Sequence, residues 1–87
     1  MIVHFHKHFE KMRAKLSVRE QERCDERIAL FISEPFNPLL YNHQLNGKYH
    51  GYRSIRIGGD LFAVYKNINE ENVVFVRVGT HHEIHGT

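Results

Sequence analysis

Two adjacent glycines, Gly58-Gly59, separate two short stretches of the chain that are rich in β-branched and aromatic residues. These stretches run from Tyr52 to Ile57 and from Asp60 to Lys66. A glycine pair between such runs is a strong signal for a tight β-hairpin, because glycine readily adopts the positive φ angles that a two-residue turn requires. A third run, Val73–Val78, follows a polar turn. The sequence therefore predicts an antiparallel meander in the second half of the chain.

The first half of the chain has the spacing of helices. Phe5, Phe9, Met12 and Leu16 recur on one helical face. Ser17 and Glu20 have the spacing of a capping box, which predicts the start of a second helix over 18–33. This helix is expected to bury five residues: Val18, Cys24, Ile28, Phe31 and Ile32. Residues 1–6 are predicted to form an edge strand before the first helix.

Pro35 and Pro38 end the second helix and begin a segment predicted to be irregular as far as Gly51. Residues 79–87 are expected to cross the end of the sheet as a short strand or an extended tail. The resulting fold class is α+β, with an N-terminal strand, a helical hairpin and an antiparallel sheet of about four strands. We expect all 87 residues to form one domain with the helices packed on one sheet face.

Alternation along the strands predicts which residues share a sheet face. Ile55 and Ile57 are expected to face the helices, which leaves Ser54 and Arg56 on the opposite face. In the last strand the predicted apolar set is Val74, Val76 and Val78. Arg77 would then share the open face with Arg56.

Composition excludes several classes of protein. Cys24 is the single cysteine, so no internal disulfide can form, as is typical of a reducing cytosol. No apolar run has the length of a membrane span or the pattern of a signal peptide, and we expect a soluble, cytoplasmic protein. The formal net charge of +2 is too small to argue for bulk affinity for nucleic acid. A nucleic-acid site must therefore depend on local placement.

The segment from 35 to 59 has such a local bias. It contains no carboxylate, but it contains five cationic or titratable side chains: His43, Lys48, His50, Arg53 and Arg56. Tyr49 lies between Lys48 and His50 and could either stack on a base or fill the core beneath the loop. The bias favours a surface that contacts phosphates.

Four motifs in fixed order resemble the RelE/ParE superfamily of bacterial toxins, and most closely its YafQ branch. They are Leu45-x-Gly47, Gly51-Tyr52-Arg53, Asp60-x4-Tyr65 and Arg77-Val78-Gly79-Thr80-His81. The resemblance covers nearly the whole chain and is strongest from 43 to 86. It implies a RelE-like fold with the RNA site on the sheet face away from the helices. It also implies a type II toxin that cuts mRNA on the ribosome and is inhibited by a cognate antitoxin.

The resemblance assigns roles to individual side chains. His43 matches a candidate general base, His81 a candidate general acid, and Asp60 an aspartate that orients a histidine or shares the base role. His85 stands at the family's aromatic position near the C-terminus, which could stack on a base. The candidate catalytic set is His43, Asp60, His81 and His85. The candidate phosphate-binding residues are Lys48, Arg53, Arg56 and Arg77. Tyr65 matches a structural tyrosine.

The implied reaction needs neither a metal nor another cofactor, because the 2′-hydroxyl of RNA is the nucleophile and histidines can move the protons. His4, His6 and His8 alternate along the first strand and could suggest a metal site, but no cysteine or carboxylate lies near them in sequence. We expect no metal to be required.

Other interpretations remain open. Arg56 stands where YafQ-like proteins have a histidine, and Phe62 where RelE has an arginine. Asp60 could simply complete the hairpin turn, and the arginines could be ordinary surface charges. The chain could therefore be a ParE-like inhibitor that acts by contact with DNA gyrase, or a non-catalytic RNA-binding module.

Overall fold

Five strands form one mixed sheet in the computed structural model, which describes residues 1–85. The strands are β1 (Ile2–Phe5), β2 (His43–Gln44), β3 (Arg53–Gly58), β4 (Leu61–Asn67) and β5 (Asn72–Thr80). Their order is β1-β5-β4-β3-β2, with β1 parallel to β5 and the other pairs antiparallel. The predicted N-terminal strand, hairpin and meander are confirmed. The additional strand, β2, lies in the segment that was predicted to be irregular.

Three α-helices accompany the sheet in this part of the chain: α1 (Lys7–Ala14), α2 (Val18–Ser33) and α3 (His81–His85). The predicted capping box is present at the start of α2. Ser17 Oγ accepts from the Glu20 backbone N–H at 3.1 Å, and Glu20 Oε1 accepts from the Ser17 backbone N–H at 2.9 Å. Arg13 and Asp25 join α1 to α2 through two parallel hydrogen bonds of 3.0 and 2.6 Å. No helix in residues 1–85 combines the length and apolar character that a membrane span requires.

An aromatic cluster forms the centre of the core between the helices and the sheet. The Phe75 ring lies 5.4 Å from the Phe31 ring in an edge-to-face arrangement and 5.7 Å from the Phe9 ring. Tyr65 packs 4.7 Å from Phe31, as expected for a structural tyrosine. Cys24 is fully buried beside this cluster, and burial raises the pKa of its thiol to about 11. The thiol is therefore protonated at physiological pH.

Two of the five residues predicted to be buried by α2 are in fact exposed. Val18 is 73% and Ile32 46% accessible, whereas Cys24, Ile28 and Phe31 are buried. At 100° per residue, Val18 and Ile32 point roughly 110° and 75° away from the centre of the buried stripe. The buried face of α2 is therefore narrower than the positions of its apolar residues predict.

The predicted alternation in β5 is wrong because the strand contains a β-bulge. Tyr65 pairs with Phe75 but Val64 pairs with Arg77, so Val76 is the extra residue. The bulge changes the alternation, and the residues buried against the helices are Val73, Phe75 and Val78. Arg77 lies opposite Val64, on the sheet face away from α1 and α2. Ile55 and Ile57 are buried as predicted.

The chain after β5 turns into α3, where an extended tail was predicted. Thr80 Oγ1 accepts from the Glu83 backbone N–H at 3.2 Å, and Glu83 Oε1 accepts from the Thr80 backbone N–H at 2.8 Å, so a second capping box starts this helix. Gly79 precedes it with φ +157°, and a Cβ atom there would lie 2.9 Å from Glu83 Oε1. A glycine is therefore needed where the strand meets the cap. Gly86 and Thr87 of the predicted tail lie outside the described residues.

Candidate active site

A cleft of about 220 Å³ opens on the sheet face opposite α1 and α2. Residues from β2, β3, β4 and α3 and from the segments on either side of β2 line it: Tyr41, His43, Leu45, Ser54, Phe62, Val64, His81, Ile84 and His85. Three of the four predicted catalytic residues, His43, His81 and His85, thus line one cleft, although His43 lies far from the other two in sequence. The lining is predominantly apolar and includes three imidazoles.

The tautomer of His43 follows from its surroundings. Its Nδ1 lies 2.8 Å from the carbonyl oxygen of Tyr41, which can only accept, so Nδ1 carries a proton. In the neutral ring Nε2 is then unprotonated and available as an acceptor. The pairing of His43 with Ser54 on β3 and the packing of the Tyr41 ring at 4.6 Å hold the imidazole in position. This is the state that a general base requires.

His81 and His85 lie one helical turn apart in α3, with ring centroids separated by 4.3 Å. His81 is exposed and His85 is half-buried. The pKa of His85 lies below its ordinary value, chiefly because the ring is partly desolvated and also because of electrostatic repulsion from His81 and Lys48. His85 therefore favours the neutral form, and the pair disfavours a doubly charged state.

Tyr49 joins the segment before β3 to α3. Its hydroxyl donates to the Ile84 carbonyl at 2.9 Å, and its ring meets the His85 ring edge-on at 5.5 Å. Lys48 Nζ lies 5.5 Å from the centre of the Tyr49 ring. The sequence left open whether Tyr49 stacks on a ligand or fills the core; in the structure it is half-buried and anchors α3. Lys48 is thereby held near the rim of the cleft.

Two further predicted residues do not lie at the cleft. Asp60 is exposed in the β3–β4 turn, beside Arg19 and Arg23 of α2, so the expectation that it orients a histidine is not met. Asp60 lies in the turn at the end of the hairpin, and this position separates its carboxylate from the histidines of the cleft. Arg53 Nε donates to Asn42 Oδ1 at 2.7 Å, and its guanidinium lies over the Phe36 ring at 5.4 Å. Arg53 thus ties down the segment before β2.

The other two predicted arginines have different surroundings. Arg56 is exposed and lines a separate depression with Arg23 and Arg27 of α2. Arg77 is half-buried in a second groove on the cleft side of the sheet, where its Nη1 donates to the Val76 carbonyl at 2.9 Å. Only Arg77 therefore lies next to the histidine cleft.

The N-terminal histidines are not arranged as metal ligands. His4 Nε2 lies 2.8 Å from Asn72 Oδ1, whereas His6 and His8 stack on each other with ring centroids 5.0 Å apart. Across residues 1–85, no three His, Cys, Asp or Glu side chains are grouped in a way that could hold a metal ion.

Sequence reasoning missed two residues that support the site. Asn42 donates to Tyr65 Oη at 2.8 Å and to the Pro35 carbonyl at 2.9 Å, and it also accepts from Arg53. This arrangement fixes the segment that carries Tyr41 and His43, and no local sequence signal indicates it. Glu83 orients α3 through its capping box, and here the spacing Thr80-x-x-Glu83 was a usable signal.

The profile of a protein family matches residues 1–86, and that family is described as "Bacterial toxin of type II toxin-antitoxin system, YafQ". The chain belongs to the YafQ family. Its fold is also that of solved YafQ structures. The crystal structure of YafQ from E. coli strain BL21(DE3) superimposes with a TM-score of 0.82 at 21% identity, covering 98% of each chain.

Two other solved structures are similar to this YafQ-family chain. The toxin in the E. coli DinJ–YafQ toxin–antitoxin complex matches with a TM-score of 0.79 at 22% identity, over 98% of this chain and 97% of that one. A copper-bound mutant toxin from Helicobacter pylori matches with a TM-score of 0.75 at 28% identity, over 94% and 96%. A search of curated protein sequences gave no match.

In this YafQ-family toxin, acid is expected to weaken the α3 cap. The backbone and hydroxyl of Thr80 hold the pKa of Glu83 below its ordinary value of 4.5. Because the folded state lowers this pKa, the stabilisation is fully present above pH 4.5 and is lost as the pH falls through the folded value. Glu83→Gln keeps a side chain that can cap the helix but removes the charge. In urea unfolding at several pH values, this variant should be less stable than the wild type at neutral pH. That difference should shrink in acid.

The matched control for the cap is Glu26→Gln on the exposed face of α2. Its difference from the wild type should not follow the pH dependence of the Glu83 variant. A constant difference between the wild type and Glu83→Gln across the acid range would contradict the assigned role of the Glu83 carboxylate.

Proposed function

We propose that this YafQ-family toxin is a ribosome-dependent endoribonuclease that cuts mRNA by acid–base catalysis, with the RNA 2′-hydroxyl as nucleophile. The observation that carries the proposal is the cleft that brings His43, His81 and His85 together. Cleavage by the 2′-hydroxyl needs one group that removes a proton and one that supplies a proton, and histidine suits both tasks near neutral pH.

The proposed reaction assigns one proton transfer to each of two histidines in the cleft, His43 and His81. His43 Nε2 takes the proton of the 2′-hydroxyl as that oxygen forms a bond to the neighbouring phosphorus. The bond from phosphorus to the 5′-oxygen then breaks, and protonated His81 gives its proton to the leaving oxygen. The products are a 2′,3′-cyclic phosphate and a 5′-hydroxyl. Lys48, at the rim, would stabilise the charge that gathers on the phosphate oxygens.

In this scheme His85 acts through His81. Its lowered pKa keeps it mainly neutral at neutral pH, and its ring packs against His81 on one side and Tyr49 on the other. A neutral aromatic ring next to His81 fixes the orientation of the proton donor without competing for its charge. His85, which the sequence placed among the catalytic residues, is therefore proposed to be a positioning residue.

The His85 role predicts different results for two substitutions. His85→Phe preserves an aromatic ring against His81 and Tyr49 and should retain cleavage within about tenfold of the wild type, whereas His85→Ala should lose more. If His85 itself transferred a proton, both variants would lose about 10²–10⁴-fold. Single-turnover cleavage rates of the two variants on programmed ribosomes distinguish these results.

The ribosome is proposed to present the RNA. The net charge of +2 gives the free protein little general affinity for nucleic acid, so alignment of the mRNA must come from elsewhere. A cognate antitoxin is the proposed regulatory partner, because the solved E. coli YafQ is found in complex with the antitoxin DinJ. Such a partner would inhibit by covering the cleft or by keeping the toxin off the ribosome.

Reconstituted translation with mapping of mRNA 5′ ends tests the proposal. We expect cuts inside translated codons only when ribosomes are present. A single 2′-deoxynucleotide on the 5′ side of a mapped cut should remove that cut, because it removes the nucleophile. Growth arrest with intact mRNA would contradict the nuclease and favour contact inhibition of DNA gyrase, which an assay of supercoiling would then detect.

A further inference from the structure

A second groove, of about 260 Å³, lies beside the histidine cleft on the same side of the sheet. It is lined by His6, His8, Tyr49, Tyr52, Val76 and Arg77, and we call it the β1–β5 groove. Tyr49 separates it from the cleft: the ring lines the groove, meets His85 edge-on at 5.5 Å, and its hydroxyl bonds to α3. The groove is therefore one aromatic ring away from the reacting centre.

The groove offers flat rings at its outer wall. His6 and His8 are exposed and stack almost in parallel, with an interplanar angle of 3°. The His6 Nδ1 accepts from the His8 backbone N–H at 3.1 Å and so caps α1, which holds the His6 ring in place. Tyr52, which also lines the groove, meets Tyr49 edge-on at 5.7 Å. Exposed aromatic rings of this kind are well suited to receive another planar ring.

The fixed charge among the residues that line the groove is the Arg77 guanidinium. Arg77 is held there by the β5 bulge and by its bond to the Val76 carbonyl, and no carboxylate pairs with it within residues 1–85. Lys48 and Lys66 lie over the Tyr49 and Tyr52 rings, each 5.5 Å from the ring centre. None of the six lining residues is acidic. Cations interleaved with aromatic rings, without a carboxylate, complement a nucleotide rather than an acidic or an apolar peptide side chain.

We infer that the β1–β5 groove binds the nucleotide next to the cleaved bond, with its base stacked on the His6–His8 pair and its phosphate on Arg77. The inference rests on the proposed nuclease function and adds a substrate subsite to it. The subsite recognises a stacked base and a phosphate, so it has little dependence on base identity.

The test uses ribosomes with an empty decoding site on a defined mRNA, in which one nucleotide flanking the mapped cut is replaced by an abasic residue. For the wild type, we expect loss of the base on one flank to slow cleavage by about fivefold or more, the low end for stacking of a base on an aromatic side chain. The His8→Ala variant should cleave the unmodified mRNA at that reduced rate. It should show no further loss on the abasic mRNA.

Two variants keep the test specific. His6→Ser removes a ring but retains a capping side chain for α1, and it should resemble His8→Ala. His4→Ala removes a histidine of the same strand that lies outside the groove, and it should retain the full effect of the abasic residue.

The remaining outcomes separate the subsite from the nuclease. A wild type that cleaves unmodified mRNA and is insensitive to an abasic residue on either flank overturns the subsite and leaves the nuclease intact. A wild type that cleaves no mRNA overturns both. Normal cleavage by His8→Ala together with loss of inhibition by the antitoxin would overturn the subsite and assign the groove to the antitoxin.

Discussion

Replacing His81 by alanine should reduce mRNA cleavage by about 10²–10⁴-fold, the usual contribution of a positioned proton donor. His81 lines the cleft with His43, and the Thr80–Glu83 capping box orients the helix that carries it. Alanine removes the imidazole from an exposed position and leaves the cap intact, so the fold should not change. Rates from 5′-end mapping on programmed ribosomes measure the effect, and growth inhibition in cells should disappear in parallel.

The neighbouring histidine provides the control for this result. His82→Ala changes the same residue type in the same helix but does not alter the lining of the cleft, and it should cleave at nearly the wild-type rate. Equal losses for the two variants would indicate damage to α3 rather than to catalysis. Undiminished cleavage by His81→Ala would remove His81 from the proposed mechanism.

The second large effect is expected from Gly79→Ala. The backbone at Gly79 has φ +157°, and a Cβ atom would lie 2.9 Å from Glu83 Oε1 and 3.3 Å from the Met12 methyl carbon. The added methyl group must displace the capping carboxylate, and a residue other than glycine at this positive φ angle also carries backbone strain of about 1–3 kcal/mol. We expect lower stability in urea and also slower cleavage at temperatures where the variant is fully folded, because α3 carries His81.

Gly59→Ala is the control that distinguishes backbone strain from displacement of α3. Gly59 also has a positive φ angle, +56°, but a Cβ atom there meets no atom within 4 Å, and the hairpin turn lies outside the cleft. This variant should lose stability without losing cleavage. If Gly79→Ala destabilised the protein but cleaved normally, α3 would not need its cap to position His81.

Local signals were sufficient for much of the fold. The hairpin signalled by Gly58-Gly59 and the Ser17–Glu20 capping box each depend on residues close together in sequence, and both elements are present. The hairpin turn lies one residue later than predicted, because Gly58 pairs with Leu61 and the turn residues are Gly59 and Asp60. The β5 bulge could not be predicted in the same way, because it is defined by the pairing of β5 with β4 and not by β5 alone. The α3 helix is only five residues long, too short for periodicity, so only its capping spacing could have indicated it.

The candidate site, like the fold, could be predicted only in part from the sequence. Positions shared with a toxin family selected His43 and His81, but only the fold shows that they line one cleft. Asp60 and Arg53 lie in equally suggestive motifs, yet one is carried beyond the histidines by the turn and the other bonds to Asn42. Motif spacing does not specify where a strand ends relative to its neighbours, and this determined which residues reached the cleft.

The parallel pairing of β1 with β5 has a consequence for the biogenesis of the toxin. Residues 2–5 pair with 72–75, so the first strand of the chain cannot be incorporated into the sheet until the last strand exists. Contacts between such distant segments form late in folding because a large loop must close first. A nascent chain that has not yet emerged as far as β5 therefore lacks both Phe75 at the centre of the core and the helix that carries His81. The histidine cleft therefore cannot form in a nascent chain before β5 and α3 have emerged.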